Sequence, residues 1–409
     1  MLFPAKHNGY YIYVHIPFCK KKCSYCYYNS FVINDSLELP DQYILYLKKE
    51  LQLRTRDFDL FPVDVLYFGG GTPSYLSLTQ LKNLFNILKE YFDLSQLKEF
   101  TIEVNPASCT LGQLKLFKKI GVTRLSFGIQ TLNKEILKYV NRYFIEDPSK
   151  IILEAKKLGF NINLDFISGL PYQTTEDIDG DSAFIKKIHP NLCTMHELRI
   201  GTDKMLAEKR KKGIFFGETH KLYQRFANKL KEMEYLQFAP ELFSFKKNMP
   251  LCNYGNNWWA KGKIFGIGIS AFSQINDYLT INTNKINTYF DRLNNNKLPT
   301  GFSYKFDMTE LAVMNFASLL TAGFIVDIKE IKKIYNVNII SILEKEIKEL
   351  IMKKYIFKKG EGLYLNNKKF TFSTPLLKIL LERFDYLGEV WDKAGGAPDK
   401  FRYSKNIST

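Results

Sequence analysis

Along the first two hundred residues, short runs of β-branched and aromatic residues alternate with stretches of helical periodicity. Tyr11 to Ile16 (YIYVHI) reads as a strand. A helical stretch follows from Asp41 to Leu53, and Asp64 to Leu76 (DVLYFGGGTPSYL) reads as a buried strand ending in a glycine-rich turn. Next come FTIEVNP as a strand, TLGQLKLFKKIG as a helix, VTRLSFGIQ as a strand, and KEILKYVNR and PSKIILEAKKLG as helices. FNINLDFISGLP is then a strand, TTEDIDGDSAFIKKI a helix and NLCTMHELRI a strand. About six β/α units predict an α/β fold, a parallel sheet with crossover helices curled into a partial (β/α)6 TIM-type barrel. Chemistry in such barrels sits at the C-terminal ends of strands. Cys19, Gly69 to Gly71, Glu103, Gln130 and Asp165 all fall there.

From about Phe215 the pattern changes. HKLYQRFANKLKEMEY reads as an amphipathic helix, and LQFAPELFS and FGIGISAFSQIND as aromatic-rich strands. Helices at Thr309 to Ala322, Ile328 to Tyr335 and Ile340 to Lys353, with a hairpin near KKGEGLYL, look like a small winged-helix-like α+β module. The expected division is a barrel over 1–215, a barrel-closing segment over 216–300, the module over 301–387 and a poorly ordered tail over 388–409.

Apolar residues at 45% and aromatics at 15% exclude a disordered chain. The longest nearly apolar run, Leu311 to Val326, is broken by Asn315 and falls short of the about 20 residues of a membrane span. The N-terminus lacks a basic start followed by an apolar core, so no export signal is read and a cytoplasmic protein is expected. Lys and Arg total 58 against 42 acids, a net charge of +16. The excess is scattered among Asn and Ile, and the dense runs (Lys20 to Lys22, Lys209 to Lys212, Lys353-Lys354) carry no nucleic-acid-binding motif. A solvated surface or a pocket for acidic small molecules is expected, with no nucleic acid partner.

The cysteines narrow the chemistry. Cys19, Cys23 and Cys26 form C-x3-C-x2-C in FCKKKCSYCYY, while Cys109, Cys193 and Cys252 lie far apart and read as small buried hydrophobes. No disulfide framework fits that distribution. Three clustered thiolates without a near fourth ligand suit an iron–sulfur cluster with one open iron, although spacing alone leaves a zinc site open. Gly69-Gly70-Gly71 would let the backbone approach a ligand, or merely form a tight loop.

Taken together, YVHIPFCKKKCSYC, YFGGGTPSYL, EVNP, TRLSFGIQTLNKEILKYVNR, LDFISGLPYQT and FGIGISAFS resemble the radical S-adenosylmethionine (SAM) enzymes. More narrowly, they resemble the family of oxygen-independent coproporphyrinogen III oxidase and the radical-SAM haem chaperone. The resemblance covers about residues 10–275 and implies a [4Fe–4S] cluster on Cys19, Cys23 and Cys26, whose open iron binds SAM. It places Gly70, Gly71 and Thr72 along the SAM methionine moiety, and Glu103, Gln130, Arg142 and Asp165 around SAM. Tyr13 matches an aromatic at that site, while Ile167 and the turn Gly266 to Ser270 match segments near a second SAM. Each has a plain structural alternative: Glu103 an acid at a strand end, Asp165 a cap, Arg142 a surface partner of Glu146. A small-molecule substrate and a low-potential donor such as flavodoxin or ferredoxin are implied as partners.

Two departures bear on the substrate. The oxidase carries a fourth cysteine where this chain has Tyr28, and CSYCYYNSF looks like the haem chaperone instead. The chaperone's His-Asn-x-x-Tyr-Trp motif corresponds to Tyr254 to Trp259 here, with Trp258 replacing Tyr and only Trp259 kept. Without the imidazole, an obvious haem ligand is gone. Tyr28, Trp258 and Trp259 are therefore candidate substrate residues. Three functions follow: a radical SAM enzyme of porphyrin or haem metabolism, a two-SAM methyltransferase acting on an sp2 carbon, and a haem-binding protein with vestigial SAM chemistry.

Overall fold

Within the central strands apolar and polar residues alternate, and the alternation sorts two faces of one sheet. The computed structural model describes residues 9–33, 38–56, 61–198, 219–245, 263–321, 325–360 and 362–366. Six strands carry the first part of the chain: β1 (Tyr10–Ile16), β2 (Phe61–Gly70), β3 (Glu99–Val104), β4 (Arg124–Gln130), β5 (Asn161–Ser168) and β6 (Leu192–Glu197). They pair in parallel in that order. Phe100, Ile102 and Val104 of β3, Leu125, Phe127 and Ile129 of β4, and Ile162, Leu164 and Phe166 of β5 enter one core with the helices. The intervening residues, among them Thr101, Glu103, Arg124, Ser126, Asn163 and Asp165, point the other way because side chains alternate along a strand. A polar lumen opposite an apolar, helix-covered face is the consequence.

The helices between these strands are α1 (Glu38–Arg54), α2 (Leu78–Tyr91), α3 (Leu111–Lys119), α4 (Lys134–Tyr139), α5 (Ser149–Lys157) and α6 (Thr175–Ile188). Reciprocal capping boxes start three of them: Ser77 with Gln80, Thr110 with Gln113 and Thr174 with Asp177. Helix α2 was not anticipated from the sequence. It completes the second crossover and buries Leu81, Leu84 and Leu88.

The later strands lengthen this sheet at both edges. After α7 (Thr219–Glu232), β7 (Tyr235–Ala239) and β8 (Leu242–Phe245) form a hairpin, and β8 pairs antiparallel with β6. On the far edge, β9 (Lys263–Ile267) pairs in parallel with β1 and leads an antiparallel meander of β10 (Phe272–Ile275), β11 (Tyr278–Asn282) and β12 (Thr300–Lys305). The described parts of the 216–300 segment extend the sheet at both of its edges. Among the described strands β7 and β12 are the two ends of the sheet and do not pair, which leaves a partial barrel. The expected boundary at 300/301 falls at the start of β12, which belongs to the sheet.

Helix α8 (Ile286–Asn294) connects β11 to β12 and packs against α1 through Tyr289 on Tyr43 and Phe290 on Tyr46, and α9 (Met308–Thr321) opens the C-terminal module. The module adds three shorter helices and a three-stranded antiparallel sheet containing the hairpin of Ile356–Lys359 and Gly362–Leu365. Its core is shared with the barrel. Leu311, Phe316 and Leu320 join Val65, Ile264, Leu279 and Ile281 in one cluster, with Tyr11 and Tyr67 against its rim. No helix of the described residues is long and apolar enough to cross a membrane.

Candidate functional site

The cysteine loop leaves β1 and is clamped at its base. Phe18–Cys19 pairs with Phe31–Val32, and the Phe31 amide donates to the Pro17 carbonyl at 2.6 Å. Its tip is docked on the end of α4: the Ser24 amide donates to Val140 O at 2.9 Å and Asn141 Nδ2 to Lys22 O at 3.0 Å. Three half-buried thiols result. Cys19 Sγ lies 3.4 Å from Thr72 Oγ1, and Arg142 Nη1 donates to Cys23 Sγ at 3.9 Å and to Tyr25 OH at 2.8 Å. Arg142 also reaches the Gly128 carbonyl, while Glu146 pairs with Lys134, so the alternative of an Arg142–Glu146 surface pair does not hold. Burial raises the Cys19 thiol above its ordinary range and pushes Cys26 up to about 11. A bound cation is what brings such groups to the thiolate form.

The glycine turn serves this loop rather than an open surface. A Cβ on Gly70, whose φ is +109°, would sit 2.5 Å from the His15 ring, and one on Gly71 would meet Ile16 O and Phe18 N at 2.8 Å. The amides are also committed: Gly70 N donates to Glu103 Oε2 (3.1 Å), Gly71 N to Ile16 O and Thr72 N to Phe18 O (both 2.8 Å). The close approach that Gly70 and Gly71 permit is to β1 and the loop it feeds.

Around the lumen, Glu103 Oε1 accepts from Tyr67 OH at 2.8 Å, and burial raises its carboxyl above the ordinary range. Asp165 accepts from Ser126 Oγ and from Asn163 Nδ2, both at 2.7 Å, and Asn163 also contacts Thr194 at 3.1 Å. These are lumen contacts within strands, not a helix cap. Tyr13 lies tilted beside Tyr67, ring centroids 6.0 Å apart. His15 Nε2 faces the Asn29 carbonyl at 2.9 Å and must donate to it, so Nδ1 accepts from Tyr13 OH at 3.0 Å. Burial lowers His15 to about 4, which keeps the ring neutral.

Gln130, at φ 70°, sits on the bulge that ends β4. Ile167 instead joins Ile136, Val140, Leu170 and Leu198 in a small apolar cluster backed by Tyr25 and Tyr139. The turn after β9 is anchored from α1: Glu50 accepts from Gly268 N (2.9 Å), and Tyr43 OH accepts from Ile269 N (2.9 Å). Asn29 Nδ2 ties Ser270 Oγ of that turn to the cysteine loop at 2.8 Å. Tyr28 is exposed beside Tyr27, ring centroids 4.7 Å apart. Trp258 and Trp259 lie outside the described residues, as does Cys252. Cys109 and Cys193 are buried, the latter on the apolar face.

Sequence reasoning missed Ser126, Asn163 and Thr194, although strict alternation in RLSFG and NINLDF signals a polar inner face. It also missed Lys22 and Asn29, for which no local pattern exists. Among the described residues no three His, Cys, Asp or Glu are grouped for a single metal ion. Thiols that each take a different iron of a cluster stand further apart than ligands of one ion. The three-thiol donor set, flanked by cations, therefore fits an iron–sulfur cluster.

Residues 13–185 match the Radical SAM superfamily. The haem chaperone HemW of Buchnera aphidicola (subsp. Schizaphis graminum) is 31% identical over 91% of this chain and 98% of its own. HemW of Bacillus subtilis is 26% identical over 87% and 95%. The oxygen-independent coproporphyrinogen III oxidase of Pseudomonas aeruginosa is 29% identical over 70% and 66%. In fold, the chain is similar to the Escherichia coli oxidase HemN, with a TM-score of 0.80, 24% identity and coverage of 92% and 91%. Homologues in the superfamily bind a [4Fe–4S] cluster and S-adenosylmethionine. The chain belongs to the radical SAM superfamily, within the family of the haem chaperone HemW and oxygen-independent coproporphyrinogen III oxidase.

Proposed function

We propose that this chain is a haem- or porphyrin-linked radical SAM protein, nearer in role to the chaperone than to the oxidase. The observation that carries the radical SAM part is the convergence of three thiols, Thr72 and Arg142 at the carboxyl end of the barrel. When bound and reduced by a low-potential donor, the cluster supplies reductive cleavage of S-adenosylmethionine to methionine and a hydrogen-abstracting 5′-deoxyadenosyl radical.

The chain's own residues would do the rest. Cys19, Cys23 and Cys26 hold the irons as thiolates. The fixed guanidinium of Arg142 suits a ligand carboxylate. Glu103 and Asp165 offer carboxylate oxygens to ribose hydroxyls. Tyr13 and Tyr67 present aromatic ring surface. Gln130 supplies an amide at the turned end of β4, and the packed module keeps water from the lumen floor.

The chaperone-like assignment is supported by similarity along nearly the whole length of HemW relatives and by Tyr28 in place of the oxidase's fourth cysteine. The test is anaerobic titration of the cluster-loaded protein with haem, beside incubation with coproporphyrinogen III and SAM. A stoichiometric Soret shift without decarboxylation is expected. Decarboxylated product with no Soret shift would assign the oxidase activity instead. S-adenosylhomocysteine formed beside 5′-deoxyadenosine would assign methyl transfer.

A further inference from the structure

Two cations lie against the cysteine loop, and among the described residues neither pairs with a carboxylate. Lys22 turns back over the loop, its ammonium donating to the Tyr28 carbonyl and to Ser30 Oγ at 2.8 Å. Arg142 bears on Cys23 and Tyr25. Several buried or strand-end cations of the barrel are matched by acids, Arg54 with Glu50 at 2.9 Å, Lys98 with Asp64 at 2.7 Å and Arg124 with Glu99 at 3.3 Å, whereas Lys156, like Lys22, holds only uncharged oxygens but lies far from the cysteine loop in the fold. Lys22 differs from its exposed neighbour Lys21 in being half-buried and doubly hydrogen-bonded. Its position is also fixed through the backbone, since Asn141 holds its carbonyl. A half-buried ammonium without a counter-ion is costly unless something anionic completes the site.

We propose that Lys22 is a fixed counter-charge for the cluster, a positioning residue that sets how readily the cluster accepts an electron. This rests on the reading of Cys19, Cys23 and Cys26 as ligands. Three thiolates on a doubly positive [4Fe–4S] core leave one net negative charge. One electron from a low-potential donor makes the core singly positive and the total doubly negative, with no bond or proton changed. Lys22 and Arg142 together bring two positive charges, so reduction takes the local sum from one positive to zero. The Lys22 charge acts through space on Cys19 and Cys26 in the direction of their anionic forms, and the same sign favours the more negative state of the cluster.

The test is an EPR-monitored redox titration of the full chain, reconstituted anaerobically with iron and sulfide, without SAM. Lys22→Met should keep wild-type iron content while its reduction constant falls roughly tenfold, or 59 mV for one electron. Lys22→Gln, which keeps a donor for the Tyr28 carbonyl, should behave like Lys22→Met, and Lys22→Arg like the wild type. Loss of loading in both neutral variants but not in Lys22→Arg would overturn the proposal, because the charge would then be needed to assemble the cluster and not to set its potential. Loaded neutral variants at the wild-type potential would overturn the proposal. So would Lys22→Arg falling with the neutral variants, because shape rather than charge would then be the requirement. A wild type that takes up no iron and sulfide would instead overturn the reading of the three cysteines, and the inference with it.

Discussion

The two walls of the lumen differ in chemistry although the same strand alternation builds both. Across β3 to β6 the inward residues are Thr101, Glu103, Arg124, Ser126, Asn163, Asp165 and Thr194, joined by short hydrogen bonds. Across β1, β2 and β9 the module packs on Tyr11, Val65, Tyr67 and Ile264, while Tyr13 and His15 continue the same face toward the cysteine loop. One wall leaves hydrogen-bonding groups where a polar ligand can use them, and the other seals the lumen with apolar area. The sealed wall adds apolar packing against the module, and the polar wall sets hydrogen-bonding groups beside the cysteine loop that leaves β1. Tyr67 stands at the boundary, with its ring on the module's cluster and its hydroxyl on Glu103.

Truncating the sealed wall should cost most. Phe316→Ala removes a fully buried ring from the shared core and should destabilise by about 3–5 kcal/mol in urea unfolding. A loss below about 1 kcal/mol would show that the module does not stabilise the barrel.

Next in size is a pH effect behind the polar wall. Asp181 of α6 accepts from Leu132 N at 2.7 Å and Thr131 Oγ1 at 3.3 Å, fixing the turn after Gln130, and burial holds its carboxyl up at about 8. The unfolded value is about 3.9, so the native chain keeps a proton the unfolded chain gives up. Its contribution is full below about pH 4 and is lost as pH rises to about 8. Asp181→Asn keeps the acceptor and removes the titration, so its stability relative to wild type should grow from pH 5 to pH 8. Parallel pH profiles would contradict the assignment.

Smaller still, Tyr67→Phe removes one hydrogen bond and should cost about 1 kcal/mol. It should also raise the Glu103 carboxyl further, since the Tyr67 hydroxyl pulls it down. An unchanged Glu103 titration by infrared or NMR would detach the two walls. Ser77→Ala, remote from both, should cost about 1 kcal/mol through the α2 cap alone.

What the sequence made legible was local. The six parallel strands, the cysteine spacing and most crossover helices are written in short windows of residues. Helix α2 escaped notice although Ser77 and Gln80 form its capping box, and α8 lies in a polar, Asn-rich stretch that masks its periodicity. The site's supports are long-range: Arg142 meets Cys23 across 119 residues, and Asn282 meets Glu50 across 232. No window of sequence holds both partners of such a pair. The glycine turn shows the opposite difficulty. Its three residues are conspicuous, yet the reason for Gly70 is the ring of His15, which only the fold places there.

The most direct measurement is 5′-deoxyadenosine formed per cluster when the anaerobically reconstituted protein is given dithionite and SAM. The account predicts product from the wild type and none from Cys23→Ala. A well-loaded wild-type cluster that yields no 5′-deoxyadenosine, with Cys23→Ala behaving identically, would contradict it.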